Sequence, residues 1–395
     1  MNNLLSSLIL KKPSDKIAKT IGYYLAFIVL GLITGIFGPT LSDLARNTHV
    51  GLSQISIIFV ARSLGYLTGS FLSGRLYDRV RGHSIIAGVL LTTALTFVLI
   101  PSIPLLHLLI VVVFALGIAE GAIDVGGNSL IVWVHRERVG PFMNGLHFFF
   151  GIGAFISPMI IAQVVLTTGD FRWAYWLLAG LMMPLAFWFT RLPSPPIEHA
   201  PQHTGKLQTN ALLLVMIAAM LFIYVGAETG YGNWVFTYAT QLNLANPTRA
   251  ALLTSTFWGS FTLGRLLGVP ISTRAQPAQI LFFDLTGCLA SVAGVALFPQ
   301  SQTMLWLGTL GAGIFMASFF PTMFALASER MTITANVTGW FMVGGGLGAM
   351  FFPWLIGQLI ESAGASVMTS VVMLSLIGDL ALFSVIVLIR RKNGG

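Results

Sequence analysis

Charge is scarce in this chain. Asp, Glu, Lys and Arg make up 9% of its 395 residues, where a soluble domain carries about 25%. Together with 55% hydrophobic residues and a mean hydropathy of +0.84, that excludes a large soluble fold and indicates a polytopic membrane protein. Cysteine is nearly absent. The single Cys288 lies in an apolar run, forms no intrachain disulfide and carries no information on redox compartment. Whole chemistries are missing too. No GxxxxGK[ST] phosphate loop is present, which argues against ATP as an energy source. No CxxC or HExxH spacing offers a metal centre, and no Gly-x-Ser-x-Gly turn offers a nucleophile, so neither an enzyme nor a resident cofactor is expected. A cleavable signal peptide is not expected, because the apolar stretch of "MNNLLSSLILKKPSDKIAKT" precedes its lysines.

What is abundant is apolar sequence in runs of about 20 residues, each able to cross a bilayer as a helix. Twelve are read, at about 21–43, 53–77, 84–101, 104–133, 141–167, 172–191, 210–240, 249–270, 278–298, 303–328, 335–360 and 365–389. The fold class is an all-α membrane protein. With the N-terminus in the cytoplasm, 16 of the 21 lysines and arginines fall on that side, at 11–19, 75–81, 136–138, 191, 206, 274, 330 and 390–392. Arg46, Arg62, Arg172, Arg249 and Arg265 are the remainder. The bias places both termini inside, in a multi-pass plasma (inner) membrane protein, and accounts for the net charge of +8 without a nucleic-acid partner.

The sequence repeats itself. "GSFLSGRLYD" from Gly69 matches "GSFTLGRLLG" from Gly259, and "GAFISPMIIAQ" from Gly153 matches "GAMFFPWLIGQ" from Gly348, at offsets of 190 and 195. Two matches at nearly one offset pair spans 1–6 with spans 7–12, as in two six-helix halves related by an axis along the membrane normal. The halves are expected at 1–191 and 210–395, joined by a Pro-rich cytoplasmic linker at 192–209.

This plan, with "GRLYDRVRGH" at 74–83, resembles the major facilitator superfamily. The family's loop pattern is Gly-x-Leu-x-Asp-Arg-x-Gly; Gly74, Leu76, Asp78 and Arg79 fit it, while Gly82 is displaced by one residue. The resemblance implies that Asp78 and Arg79 belong to a cytoplasmic gate that latches the halves when the outside is open. "AIDVGGNSLIVW", "MNGLHFFFGIGAFISP", "AETGYGNWVFTYA" and "FFPTMFALASE" narrow the likeness to the fucose–proton symporter group, and within it to the branch of sodium-dependent glucose transporter 1 type proteins.

A charge at the bilayer centre costs about 2.5–3.5 kcal/mol, so Arg62, Glu120, Asp124, Glu228 and Asp379 each need a partner or a wet cavity. Asp284, nearer a helix end, is less demanding. At about 1.5 Å per residue, Glu120 lies about 20 Å and Arg62 about 23 Å from the cytoplasmic ends of their spans, so an ion pair is expected. Asp124, at about 14 Å, is left without a cation; it takes up a proton or holds a metal ion, and either suits a coupling site. Its alternative is a hydrogen-bonded structural acid. The resemblance supports the coupling role, since the symporter pattern has an essential acid followed four residues later by Asn, here Asp124 and Asn128. The pattern's second acid, in span one, is absent: "LITGIFGPTL" offers Thr34 and no carboxylate. Neutral oxygens of Thr34, Asn128 and Ser129 make Na⁺ at Asp124 a candidate beside H⁺.

Asn144 and His147 share a face of span five, and His147 stands where the symporter pattern has Gln. In span seven Tyr224, Glu228 and Tyr231 run i, i+4, i+7, followed by Asn233 and Trp234. Carboxylates and amides suit vicinal hydroxyls, and Trp234, Trp258 and Trp340 are candidate rings for a sugar's C–H face, with helix anchoring as the plainer reading, favoured for Trp340. Pro321 is expected to loosen span ten. The sequence reads as a secondary active transporter that carries a monosaccharide such as glucose inward with Na⁺ or H⁺ as a monomer; efflux of drugs or lipids is the alternative.

Overall fold

The computed structural model describes residues 15–196, 211–329 and 331–392, with the side chains of residue 335 and of 389–392 outside that description. Most of the expected linker, with Lys11, Lys12, Lys206 and Arg330, lies outside the described residues, as do the side chains of Arg390, Arg391 and Lys392.

In hydrocarbon every backbone N–H and C=O must be satisfied within the protein, and the chain meets this with helices. They are α1 (Asp15–Asn47), α2 (Ile57–Tyr77, preceded by the short helix Leu52–Ile55), α3 (Gly82–Leu99), α4 (Leu106–His135), α5 (Gly140–Thr168), α6 (Arg172–Arg191), α7 (Ala211–Gln241), α8 (Pro247–Ser272), α9 (Pro277–Leu297), α10 (in two pieces, Gln302–Met316 and Phe319–Ser328), α11 (Ala335–Ala363) and α12 (Val367–Lys392). No strand occurs among the described residues. Among the described residues eleven spans are long and apolar enough to cross a membrane; α8, which carries Arg249 and Arg265, is not among them, and it packs between α5, α7 and α10. Loops are short and the helix ends are marked. Asn246 accepts from Arg249 N–H at the start of α8, Thr334 from Val337 N–H at the start of α11, and Gly169 ends α5 at φ 73°.

Span ten is two helices, Gln302–Met316 and Phe319–Ser328, and not the single helix read from hydropathy. The break sits four residues before Pro321, where the missing N–H and the ring's clash with the carbonyl of Ala317 would fall. The first residue of span one is likewise earlier than expected, because Lys16 and Lys19 extend α1 beyond its apolar stretch.

Packing repeats with the sequence. Helix α2 lies on α4, α1 on α5 and α3 on α6; six helices later α8 lies on α10, α7 on α11 and α9 on α12. The first six helices meet the last six through α2 on α11, α5 on α8 and α1 on α7.

These contacts close one end. At the end away from Asp15, Ser53 Oγ donates to Gln358 Oε1 at 3.1 Å, and Gln358 Nε2 donates to Ser53 O at 2.8 Å and Ser56 Oγ at 3.1 Å. Glu361 accepts from Ser53 N–H at 3.3 Å, its carboxylate set at the N-terminus of the short helix. Phe59 of α2 packs on Trp234 of α7 just inside. Across α5 and α8 the seam is small and apolar: Gly151 lies on Thr262 and Gly259 on Phe155. Gln163, the repeat counterpart of Gln358, is exposed. At the opposite, Arg-rich end Leu72, Leu76 and Trp340 are exposed, and Asp78 and Arg79 point to solvent with no ion pair to the last six helices among the described residues. The halves are therefore bonded across one end, the sealed end, while at the other, called the open end, these side chains lie exposed.

Gln358→Leu should loosen the sealed end. Each lost hydrogen bond is worth about 0.5–1.5 kcal/mol, so the equilibrium should move at least roughly tenfold toward opening there. Pulsed EPR between labels at Thr167→Cys and Gln300→Cys would report it as a new, longer distance; an unchanged distribution would mean the apolar seam alone holds that end.

Candidate functional site

Helices α2 and α4 run in the same direction and touch backbone to backbone. A Cβ added at Gly65, Gly69, Gly117 or Gly121 would strike the facing helix's backbone, so only glycine allows this approach. Side chains starting from helices this close meet in register. Arg62 and Tyr66 are one turn apart on α2, and Glu120 and Asp124 one turn apart on α4. They form two rungs.

The first rung is an ion pair. Arg62 Nε donates to Glu120 Oε2 at 2.9 Å and Nη2 to Oε1 at 2.6 Å, the fork-on-fork geometry of a strong charge-assisted pair. Thr34 of α1 accepts from Arg62 Nη2 at 3.2 Å, and the Phe37 ring lies 5.2 Å from the guanidinium. Side-chain exposures of 14% and 9% show the pair nearly sealed. Thr34, expected near Asp124, is thus held to the arginine, and its own hydroxyl proton goes to Leu30 O.

The second rung has no arginine. Tyr66 Oη donates to Asp124 Oδ2 at 2.5 Å, and Asn128 Nδ2 donates to Asp124 Oδ1 and to Asp124 O, both at 2.9 Å. Both carboxylate oxygens therefore accept, and Asp124 remains half-buried, not enclosed. One turn further along α2, Ser70 Oγ is buried and makes no hydrogen bond of normal geometry among the described residues, packed where a Cβ on Gly121 would stand. Among the described residues no group of three or more His, Cys, Asp and Glu is placed to hold a metal ion. The oxygens around Asp124 are instead one carboxylate, a phenol, an amide and a hydroxyl, a hard set.

The remaining expected site residues divide by depth. Asn144 and His147 of α5 are exposed near the open end, His147 edge-on to Phe27 at 6.0 Å. Glu228 of α7 is half-buried beside Tyr224. Tyr224 is buried; its hydroxyl donates to Met316 O at 2.6 Å, at the break in α10, and its ring stacks on Phe319. Tyr231, Asn233, Trp234 and Trp258 do not reach the open space. Tyr231 Oη bonds Thr309 Oγ1 at 2.8 Å, Asn233 Nδ2 donates to Thr229 O, and Trp234 Nε1 donates to Pro353 O at 2.9 Å. Trp258 is buried against Phe257 and Phe261. The shared helical face is real, but Tyr231–Trp234 sit further toward the sealed end, where protein fills the space. Asp284 is buried rather than undemanding, and accepts from Ser318 Oγ at 2.5 Å beside the α10 break. Asp379 is fully buried with neither oxygen bonded among the described residues, and nothing connects it to the site.

Two contributors escaped sequence reading. Tyr66 and Ser70 lie one and two turns beyond Arg62: once Arg62 meets Glu120, the next turn of α2 must meet Asp124.

Comparison with known proteins accords with this architecture. The Major Facilitator Superfamily pattern matches residues 23–353. The protein called sodium-dependent glucose transporter 1 in Danio rerio is 32% identical over 375 residues, covering 85% of this chain and 63% of that protein. Its Homo sapiens namesake is 31% identical over 398 residues, covering 88% and 76%. The crystal structure of the nucleoside transporter NupG, in a single-residue mutant, superposes with a TM-score of 0.76 over 94% of this chain and 98% of that one, at 14% identity. A twelve-helix bundle with repeated packing, closed at one end, and a family pattern over most of its length lead to one conclusion: the chain belongs to the Major Facilitator Superfamily.

Proposed function

We propose that this protein is a cation-coupled symporter of a monosaccharide of the glucose class, with Na⁺ as the coupling ion. The observation that carries this reading is the second rung: a carboxylate with neutral oxygen partners, one turn from a sealed ion pair, half-open to its surroundings. The relatives' name, sodium-dependent glucose transporter 1, supports both the ion and the solute class.

The Arg-rich end is the cytoplasmic end by the positive-inside bias, so the described state faces inward. The two halves, 1–191 and 210–395, rock as units about a site between them, and Asp78 and Arg79 meet the second half when the outer end opens. Without its cation, Asp124 is stabilised by Tyr66 and Asn128. Na⁺ would replace these donors with oxygens: the Asp124 carboxylate, the Asn128 amide turned over, Tyr66 Oη and the buried Ser70 Oγ. Neutralising Asp124 lets the site lose water and close around the sugar. Arg62 and Glu120 play a structural part: they hold α2 against α4 so that Tyr66 and Asp124 stay in register. Asn144, His147 and Glu228, with Tyr224 behind Glu228, are the groups offered to sugar hydroxyls. Tyr231, Asn233, Trp234 and Trp258 act in closing the outer end.

Uptake of labelled glucose into proteoliposomes at fixed pH tests the reading. An inward Na⁺ gradient should drive accumulation, and its replacement by K⁺ should abolish it; accumulation driven only by a pH gradient would assign the coupling to H⁺, and drug extrusion would move the protein to the efflux class. In Asp124→Asn, gradient-driven accumulation should fall to background while exchange at equal concentrations persists in part. Undiminished uphill uptake by this variant would remove Asp124 from coupling.

Glu120→Gln strands the Arg62 guanidinium in a nearly sealed site, a loss of about 3–5 kcal/mol for a buried pair. Thermal melting in detergent should therefore drop by several degrees, with little change in substrate preference among correctly folded molecules. Full stability with altered preference would place Glu120 in the substrate site.

A further inference from the structure

The chain leaving α6 toward the second half is fastened to the first half by one histidine. Helix α6 ends at Arg191, and the sequence continues as "LPSPP". Leu192 precedes a proline and is extended, at φ −79° and ψ 133°. In a continuing helix its carbonyl would accept from residue 196, which is Pro196 and has no N–H. His83, the second residue of α3, takes that carbonyl instead: its Nδ1 lies 3.1 Å from Leu192 O. The backbone N–H of His83 donates to Ser194 Oγ at 3.4 Å. That bond serves one of the free N–H groups at the start of α3, where Arg81 makes no side-chain cap. The repeat counterpart α9 receives no such help from elsewhere, since Gln279 Oε1 accepts from Gln276 N–H at its own start.

The other ring nitrogen faces α1. Tyr23 Oη lies 2.8 Å from His83 Nε2, and both side chains are buried, His83 at 2% exposure and Tyr23 at 0%. Phe189 of α6 meets the imidazole edge-on at 5.4 Å. These contacts fix the tautomer. A carbonyl only accepts, so Nδ1 carries the proton; Nε2 is then the acceptor and Tyr23 the donor. A second proton on the ring has no place in this arrangement. Nε2–H would meet Tyr23 Oη, whose own proton has no other acceptor among the described residues. The new charge would also lack a counter-ion, since no carboxylate pairs with His83 among the described residues. The charged groups around it are Lys19, one turn before Tyr23 on α1, and Arg81, which precedes α3; Asp78, the nearest acid along the chain, is exposed. Tyr77 of α2 gives its proton to Ala122 O, and α4 meets the start of α3 with the apolar Leu130.

We propose that His83 is a proton-operated clasp on the chain that joins the halves. With the ring neutral, Leu192, Pro193 and Ser194 are held against α1 and α3. When the ring takes up a second proton, the Tyr23 bond is lost, the charged ring leaves the buried site and Leu192 O loses its donor. The remaining 3.4 Å bond to Ser194 is too long to replace it. The clasp is therefore closed at higher pH and opens as the pH at the Arg-rich end falls. Three extended residues, about 10 Å of chain, then add to the reach of the connection between the halves. The clasp works in this way whichever solute or ion the protein carries.

The test is continuous-wave EPR of the full-length protein, without sodium or sugar, carrying a spin label at the exposed position Pro196→Cys in a Cys288→Ala background. Pro193 and Pro195 remain, so the labelled segment still cannot turn helical. Spectra are recorded at about pH 8 and about pH 5, on either side of the ordinary histidine range. The label should be held at about pH 8 and shift roughly tenfold toward a mobile component at about pH 5, as expected for one or two lost hydrogen bonds. His83→Gln should stay held at both, because its amide donates to Leu192 O and accepts from Tyr23 Oη without titrating. His83→Phe, which offers neither bond, should be mobile at both; if it fails to fold, the comparison of His83 with His83→Gln decides alone. A spectrum independent of pH with His83 in place, a pH response kept in His83→Gln, or a held label in His83→Phe would each overturn the clasp while leaving the transport reading untouched.

Discussion

An ionised group in hydrocarbon must find a counter-charge, a set of polar donors or water, and the interior of this protein is arranged around that demand. The Arg62–Glu120 fork is the arrangement on which the rest depends. It binds α2 to α4 at the point where glycines let their backbones touch, and it fixes the register in which every later pair on those helices must meet. Asp124 is positioned by that register and not by a charge of its own. One helical turn separates a carboxylate compensated by an arginine from one whose partners are neutral, and the proposed coupling role rests on that difference.

Much of this was legible in the sequence, for physical reasons that differ by residue. Hydropathy runs located the spans because the bilayer imposes their length, and α8, with Arg265 among several Ser, Thr and Gly residues, is the least apolar of them. Depth along parallel helices brought Arg62 and Glu120 to one level. The same calculation stopped short at Asp124, since it searched for a cation and overlooked Tyr66, a neutral donor one turn on. In span seven, periodicity grouped Tyr231 with Glu228 by face, but a face gives direction and not depth; two turns on, the direction leads into Thr309 and the closed packing. Pro321 announced a loosened helix, although its effect lies four residues earlier, where the carbonyl of Ala317 would have been bonded. Tyr224 and Asp284 both attend that break, the one through Met316 O and the other through Ser318.

The internal repeat shows how one ancestral pattern can serve two purposes. "GSFLSGRLYD" ends in a loop where Asp78 and Arg79 lie exposed, while "GSFTLGRLLG" continues as helix and keeps its arginine among membrane-level residues. The Phe-to-Arg stacking survives in both copies, so the local geometry was retained while its surroundings changed. Sequence similarity between halves therefore identifies shared scaffolding; the departures from it mark where the halves took on separate work.

The two seams between the halves are unequal in the same way. Gln358 fastens α11 through polar bonds to Ser53 and Ser56, just before α2, whereas its counterpart Gln163 is exposed, and the α5–α8 seam beside it is a run of small and apolar contacts. Polar bonds break abruptly and have a defined length; smooth contacts can slide without losing a discrete partner. A door built this way has its bolt on one edge and its hinge on the other, so the sealed end would swing from the α2–α11 edge about an axis near α5 and α8, parting on one flank before the other.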